Sequence, residues 1–133
     1  MYFGYLRGAE TFYGGGRLAA LGSARSVEAV KINGYTIEPG ADLQGAVLER
    51  SDLTRANLEG AYLEKANLER ANLERVNFAE AKIGGAHLIM ANLIGADLKR
   101  ADLRFTNLIA ARADENTTWP DGFDPVAAGV IFE

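Results

Sequence analysis

A large apolar residue recurs at every fifth position from Leu43 through Leu48, Leu53 and Leu58 to Leu108, with Phe78 and Ile83 as the two departures from leucine. No position in that frame is polar. Two residues earlier stands something small, alanine in most units and Ser51, Val76 or Thr106 in the others. Between them lies Asp or Asn in ten of the fourteen units, as in Asp42, Asp52, Asn57, Asn67 and Asn72. A period of five fits neither the 3.6 of a helix nor the 2.0 of a strand, so the chain must turn at every unit. One large and one small inward residue per unit fill a narrow interior that two large ones would overfill. Each buried leucine stabilises by about 1.5 to 3 kcal/mol, which makes this ladder the main driving force. Asp and Asn suit the turns because their side chains bond nearby backbone N–H groups. Where Val47, Tyr62, Lys82 and His87 replace them, looser corners are expected.

The Ala-(Asp/Asn)-Leu-x-x string resembles the pentapeptide-repeat family. That resemblance implies an all-β fold, a right-handed quadrilateral β-helix in which each pentapeptide makes one side and four make a coil. Fourteen units over residues 41–110 then give three and a half coils, and the solenoid is assigned to residues 41–112. Residues 23–40 are read as an N-terminal cap: one or two helical turns over 23–30, then a hairpin in which Val30-Lys31-Ile32 and Tyr35-Thr36-Ile37 flank Asn33-Gly34. Residues 113–133 are read as a C-terminal cap and tail. Its Thr118-Trp119-Pro120-Asp121-Gly122-Phe123 segment is similar to a tail of family members, which implies that Trp119 and Phe123 plug the last coil. Residues 1–22 set Tyr2, Phe3, Tyr5, Phe12 and Tyr13 among glycines. Such an arm either docks its aromatics on a partner or packs on itself.

Composition narrows the chemistry. The chain has no cysteine and one histidine, His87, so neither thiolate nor imidazole clusters for a metal are available. Gly14-Gly15-Gly16 is not followed by Lys-Ser/Thr and is no phosphate loop, and no nucleophile–base constellation is present. No enzyme activity, cofactor, metal or small-molecule substrate is expected. The formal charge is −4 with a pI near 5.1. Residues 41–114 hold eleven acids against ten bases, so the excess acid lies in the tail and direct nucleic-acid binding is not expected. No run approaches about 18 apolar residues, so membrane insertion is not expected and a cytoplasmic location is, with a plastid left open by the family resemblance.

Residues twenty apart should stack, and the outer walls they form are unequal. One wall reads Glu49-Arg50, Glu69-Arg70, Ile89-Met90 and Ile109-Ala110; the next reads Thr54-Arg55, Glu74-Arg75 and Ile94-Gly95. The first two coils are expected to be laced with salt bridges, while Ile89, Met90, Ile94 and Ile109, with Phe105 nearby, form an apolar patch. Such a patch marks a contact surface, unless residues 125–133 fold back over it. The function expected is a non-enzymatic protein-binding or scaffold module, either a homodimer or a small subunit of a larger assembly. The family resemblance implies one alternative, mimicry of duplex DNA to engage a topoisomerase such as gyrase. A repeat region so near neutrality and so short argues against it.

Overall fold

The computed structural model describes residues 30–133, together with the two-residue strands β1 (Thr11–Phe12) and β2 (Gly14–Gly15). From Asp42 onward the chain winds as a right-handed quadrilateral β-helix. Successive coils are joined by parallel bridges twenty residues apart, among them Asp42 to Tyr62, Asn57 to Asn77 and His87 to Asn107. Up to the unit ending at Met90, each side is joined to the coil above it by three backbone bonds. On the second side, for instance, Leu48 N–H donates to the Asn67 carbonyl (2.8 Å), Asn67 N–H returns to Ala46 (2.8 Å) and Arg50 N–H reaches Glu69 (2.8 Å). All fourteen central residues are buried, most of them completely, and the most open is Leu103 at 8%.

The corners arise from one backbone choice repeated fourteen times. The residue after each unit donates to the carbonyl of the central residue, as Ala46 N–H does to Leu43 (3.0 Å), closing a four-residue turn. In every unit the fifth residue has positive φ, as a type II turn requires at its third position. Four of these residues are glycines (45, 60, 85 and 95); the other ten, from Arg50 to Ala110, sit at φ between 57° and 63°. The Asp or Asn of the unit adds a second bond, its Oδ1 accepting the N–H two residues on, as in Asn67 to Glu69 (3.0 Å) and Asp97 to Lys99 (3.0 Å). The looser corners expected at Val47, Tyr62, Lys82 and His87 are not found. Their closing bonds measure 3.0 to 3.1 Å, within the 2.9 to 3.1 Å of the remaining units. The inward leucine and the ladder set the turn, and the Asp or Asn only supplements it.

The N-terminal end is closed by a hairpin of β3 (Val30–Ile32) and β4 (Tyr35–Ile37), antiparallel, turning through Asn33 (φ 52°) and Gly34 (φ 83°). Val30 already belongs to β3, so the helical turns expected over 23–30 do not reach it; the rest of that segment lies outside the described residues. Among the described residues no coil lies below Val47, and two hairpin side chains bond its backbone. Tyr35 Oη accepts from Val47 N–H (3.1 Å) and Asn33 Nδ2 donates to the Val47 carbonyl (3.2 Å).

At the other end β5 (Arg112–Ala113) pairs in parallel with β6 (Ile131–Phe132). One residue is inserted before this closure, for Asp97 pairs with Thr118, an offset of twenty-one. The extra residue is absorbed in a loop stapled by buried Thr117, whose Oγ1 donates to the Leu93 carbonyl (2.9 Å) and accepts from Asp114 N–H (3.0 Å). The alternative in which residues 125–133 fold back over the apolar wall is met only at the wall's end, where Gly129 packs against Ile109; Met90 and Ile109 stay exposed. Residues 125–133 lie on the end of the ladder, with Ala110 N–H donating to Gly129 (2.9 Å) and Ile131 N–H to Ala111 (2.8 Å). The inserted residue and the free edge of the last coil direct the tail onward as one more partial coil.

Candidate interaction surface

The second side of the solenoid carries the wall. Its stacking is fixed by Arg50 N–H to Glu69, Arg70 N–H to Ile89 (2.9 Å) and Met90 N–H to Ile109 (3.0 Å), which sets Glu49, Glu69, Ile89 and Ile109 in one column. Glutamate thus gives way to isoleucine halfway up. Met90 is 46% exposed and Ile109 60%, while Ile89 and Ile94 are half-buried. Phe105 stands at the corner leading into this side with φ 63° and 94% of its surface open. Those five residues fall on the upper two coils: Ile89, Met90 and Ile109 on the second side, Phe105 at the corner before it, and Ile94 at the far end of the third side. Ile94 lies across the next corner beside Gly95, where the Arg75 stem packs so closely that a Cβ on Gly95 would come within 3.0 Å of Arg75 Cγ.

The tail extends the apolar area at the end of the ladder. Val126, Ile131 and Phe132 are exposed, and Val130 turns inward. Trp119 and Phe123 stack at 5.4 Å with 19° between their planes, and both pack against the core. The Trp119 indole N–H is buried without an acceptor among the described residues. Of the arm, Tyr2, Phe3, Tyr5 and Tyr13 lie outside the described residues, and Phe12 is described in backbone alone.

The lower walls are charged but not laced. Among the described residues, Glu74 and Arg75 form the one ion pair on these two walls, at 3.6 Å. Stacking explains the shortfall, because three of the four columns set like on like: Glu49 below Glu69, Arg50 below Arg70 and Arg55 below Arg75. The short pairs lie elsewhere: Glu80 with Arg100 (3.0 Å), Asp102 with Arg104 (2.7 Å) and Arg112 with Glu133 (2.9 Å). All are exposed enough to add little stability. The side-chain bond from Arg104 holds the Asp102 carboxyl down at about 2, aided by the Arg104 backbone N–H, and Asp102 in turn raises the Arg104 guanidinium. At Asp114 desolvation is the largest influence and pushes its carboxyl up, yet N–H groups of Asn116 and Gly95 with the Thr117 hydroxyl outweigh it and leave it lowered. Among the described residues no His, Cys, Asp and Glu cluster is placed to hold a metal, and no helix is long and apolar enough to cross a membrane.

The family model for pentapeptide repeats matches residues 40–70 and 77–112 in eight copies. The chain belongs to the pentapeptide repeat family. Among solved structures it is similar to the pentapeptide repeat protein alr5209 from Nostoc Pcc 7120, with 31% identity over 71% of this chain and 82% of that one, at a TM-score of 0.55. It is also similar to the pentapeptide repeat protein Rfr23 from the cyanobacterium Cyanothece 51142, at 41% identity over 59% of this chain and 53% of that one, with a TM-score of 0.58. A pentapeptide repeat protein from the Arabidopsis thaliana thylakoid lumen shares 30% identity over 67% of this chain and 59% of its own, at 0.54. This chain therefore spans little more than half the length of the latter two. No curated protein matches it. Pentapeptide repeat proteins are typically interaction modules and generally non-catalytic.

Proposed function

We propose that this pentapeptide repeat protein is a non-enzymatic scaffold that binds a protein, as a homodimer or as a small subunit of a larger assembly, through its upper second wall. The observation that carries this reading is the change of one stacked column from Glu49 and Glu69 to Ile89 and Ile109, flanked by Met90, Ile94 and the fully projecting Phe105. A monomer that stays alone gains nothing from an apolar wall above a charged one, whereas a contact surface gains the hydrophobic term on burial. The tail touches the wall only at Ile109 and leaves Met90, Ile109 and Phe105 exposed, which supports the same reading. The aromatic arm of Tyr2, Phe3, Tyr5, Phe12 and Tyr13 is the second contact element in this proposal, and Trp119 and Phe123 close the end. A repeat region of nearly balanced charge favours a protein partner over duplex-DNA mimicry, and a cytoplasmic setting goes with the reading.

Light scattering across a concentration series tests the wall. The wild-type protein is expected to self-associate or to retain a co-purifying partner, and Ile89→Glu/Ile94→Glu is expected to abolish whichever it does while leaving the far-UV spectrum intact. A wild-type monomer without a partner, unchanged by the double substitution, refutes the proposal.

A further inference from the structure

The second side of the tube is flanked by two corner columns that complement each other level by level. Gln44 and Thr54 bond the Asp two residues before them (3.0 and 2.6 Å), and Arg104 does the same with Asp102 (2.7 Å), so the fourth residue of a unit leans over its own side. The fifth, past the corner, borders the next side. On the second coil the flanks of this face therefore hold Lys65 and Glu69, on the third Gly85 and Ile89, and on the fourth Phe105 and Ile109. Each level offers a pair of opposites or of apolar groups: a cation and an anion, a notch and a branched side chain, a ring and an aliphatic chain. The Lys65 stem floors the notch, its Cγ 3.4 Å from where a Cβ on Gly85 would stand. Asp102 draws the Arg104 guanidinium back over the first side, which leaves Phe105 projecting alone at 94% exposure. Down the middle of the face, bridges stack Val47, Asn67, His87 and Asn107. Val47 stands 58% exposed at a position where most units place Asp or Asn.

We infer, resting on the reading that this wall is the contact surface, that its partner is a second copy of this chain, lying parallel about a two-fold axis that runs up the middle of the second side. Such an axis sets each flank against the opposite flank of the second copy at the same level. Lys65 meets Glu69 of the second copy, Ile89 enters its Gly85 notch and Phe105 covers its Ile109, every contact being made twice. On the axis Val47 packs on Val47 of the second copy, so the contact runs about 15 Å up the ladder at about 4.8 Å per coil. An antiparallel pair centred between the third and fourth coils also buries Phe105, against Gly85. It sets Lys65 and Glu69 against the tail of the second copy, however, and carries Val47 beyond its end. The charges and Val47 together select the parallel arrangement.

The face is narrow, so a dissociation constant of about 0.1 mM is expected. At about 1 mM, in an equal mixture of isotope-labelled and unlabelled protein, filtered nuclear Overhauser spectra are expected to join the Phe105 ring to Ile109 across copies. Sedimentation across a concentration series reads the charges. Lys65→Glu sets glutamate against Glu69 of the second copy and is expected to weaken the dimer about tenfold, while Lys65→Glu/Glu69→Lys restores it to within about threefold of the wild type. Phe105→Ala is expected to weaken it about tenfold as well. A double reversal no tighter than Lys65→Glu overturns the inference, and so do contacts across copies from Phe105 to Gly85, which mean antiparallel tubes. A wild type that stays monomeric at about 1 mM yet retains a co-purifying protein, lost in Ile89→Glu/Ile94→Glu, overturns the second copy and keeps the wall. A monomer without any partner removes both.

Discussion

Replacing Gly60 by alanine tests the left-handed corners. Gly60 sits at φ 68°, and a Cβ built on it meets nothing within 4 Å, so the substitution isolates backbone conformation from packing. Holding an L-residue in that region costs about 1 to 2 kcal/mol relative to glycine. Alanine also narrows the unfolded ensemble, which returns about 0.4 to 1 kcal/mol. The net loss is therefore about 0.5 to 1 kcal/mol. Arg70, exposed and at φ 59°, provides the reverse experiment, and Arg70→Gly is expected to stabilise by a similar amount. In urea, where a small domain loses about 2 kcal/mol of stability per molar, the two midpoints should part by about 0.5 to 1 M on opposite sides of the wild type. Gly60→Asn should fall between alanine and glycine, because asparagine tolerates the left-handed region. Midpoints of Gly60→Ala and Arg70→Gly that move in the same direction would refute the account of the corners.

Thr117→Val removes a buried hydroxyl that serves the Leu93 carbonyl and the Asp114 and Gly95 N–H groups, and is expected to cost about 1 to 3 kcal/mol in the same urea assay. At Trp119 the orphaned indole N–H makes phenylalanine a mild change, within about 1 kcal/mol, whereas alanine loses the stack on Phe123 and costs about 2 to 4 kcal/mol by thermal or urea unfolding. Asp102 is depressed in the folded state, so its contribution is present above the ordinary carboxylate range near pH 4 and is lost as the pH falls toward 2. A carboxyl NMR titration should place its midpoint at about 2, and Arg104→Ala should move that midpoint up toward the ordinary range.

The five-residue period was legible because burial is strict: every frame position from Leu43 to Leu108 is inside, and no polar residue interrupts it. The hairpin was legible for a different reason, since Asn33-Gly34 is a pair that tolerates two positive φ values in succession. The left-handed fifth position was not read, because Gly, Arg, Lys, Glu, Met, Phe and Ala all occupy it and none announces it. A signal did exist there: no Val, Ile or Thr occurs at any of the fourteen, as β-branching disfavours that region. Salt bridges were overread on the lower walls, since adjacency along the chain does not bring opposite charges together when stacking repeats the same sign. The course of the tail was hidden by a single inserted residue between Asp97 and Thr118, which shifts the frame without leaving a compositional mark. The wall at Ile89 was legible from spacing alone, and the addition of Val126, Ile131 and Phe132 required knowing where the chain ends up.

Because bridges tie each residue to one about twenty positions away, the protein grows and shrinks by whole turns. Excising residues 61–80 would bring side one back onto side one and leave the hairpin beneath Val47 and the stapled loop at Thr117 with the neighbours they have now. Duplication of such a block can raise the height of the tube without redesigning either terminus. The distance between the two ends is then an adjustable dimension of the molecule, open to change by copying alone.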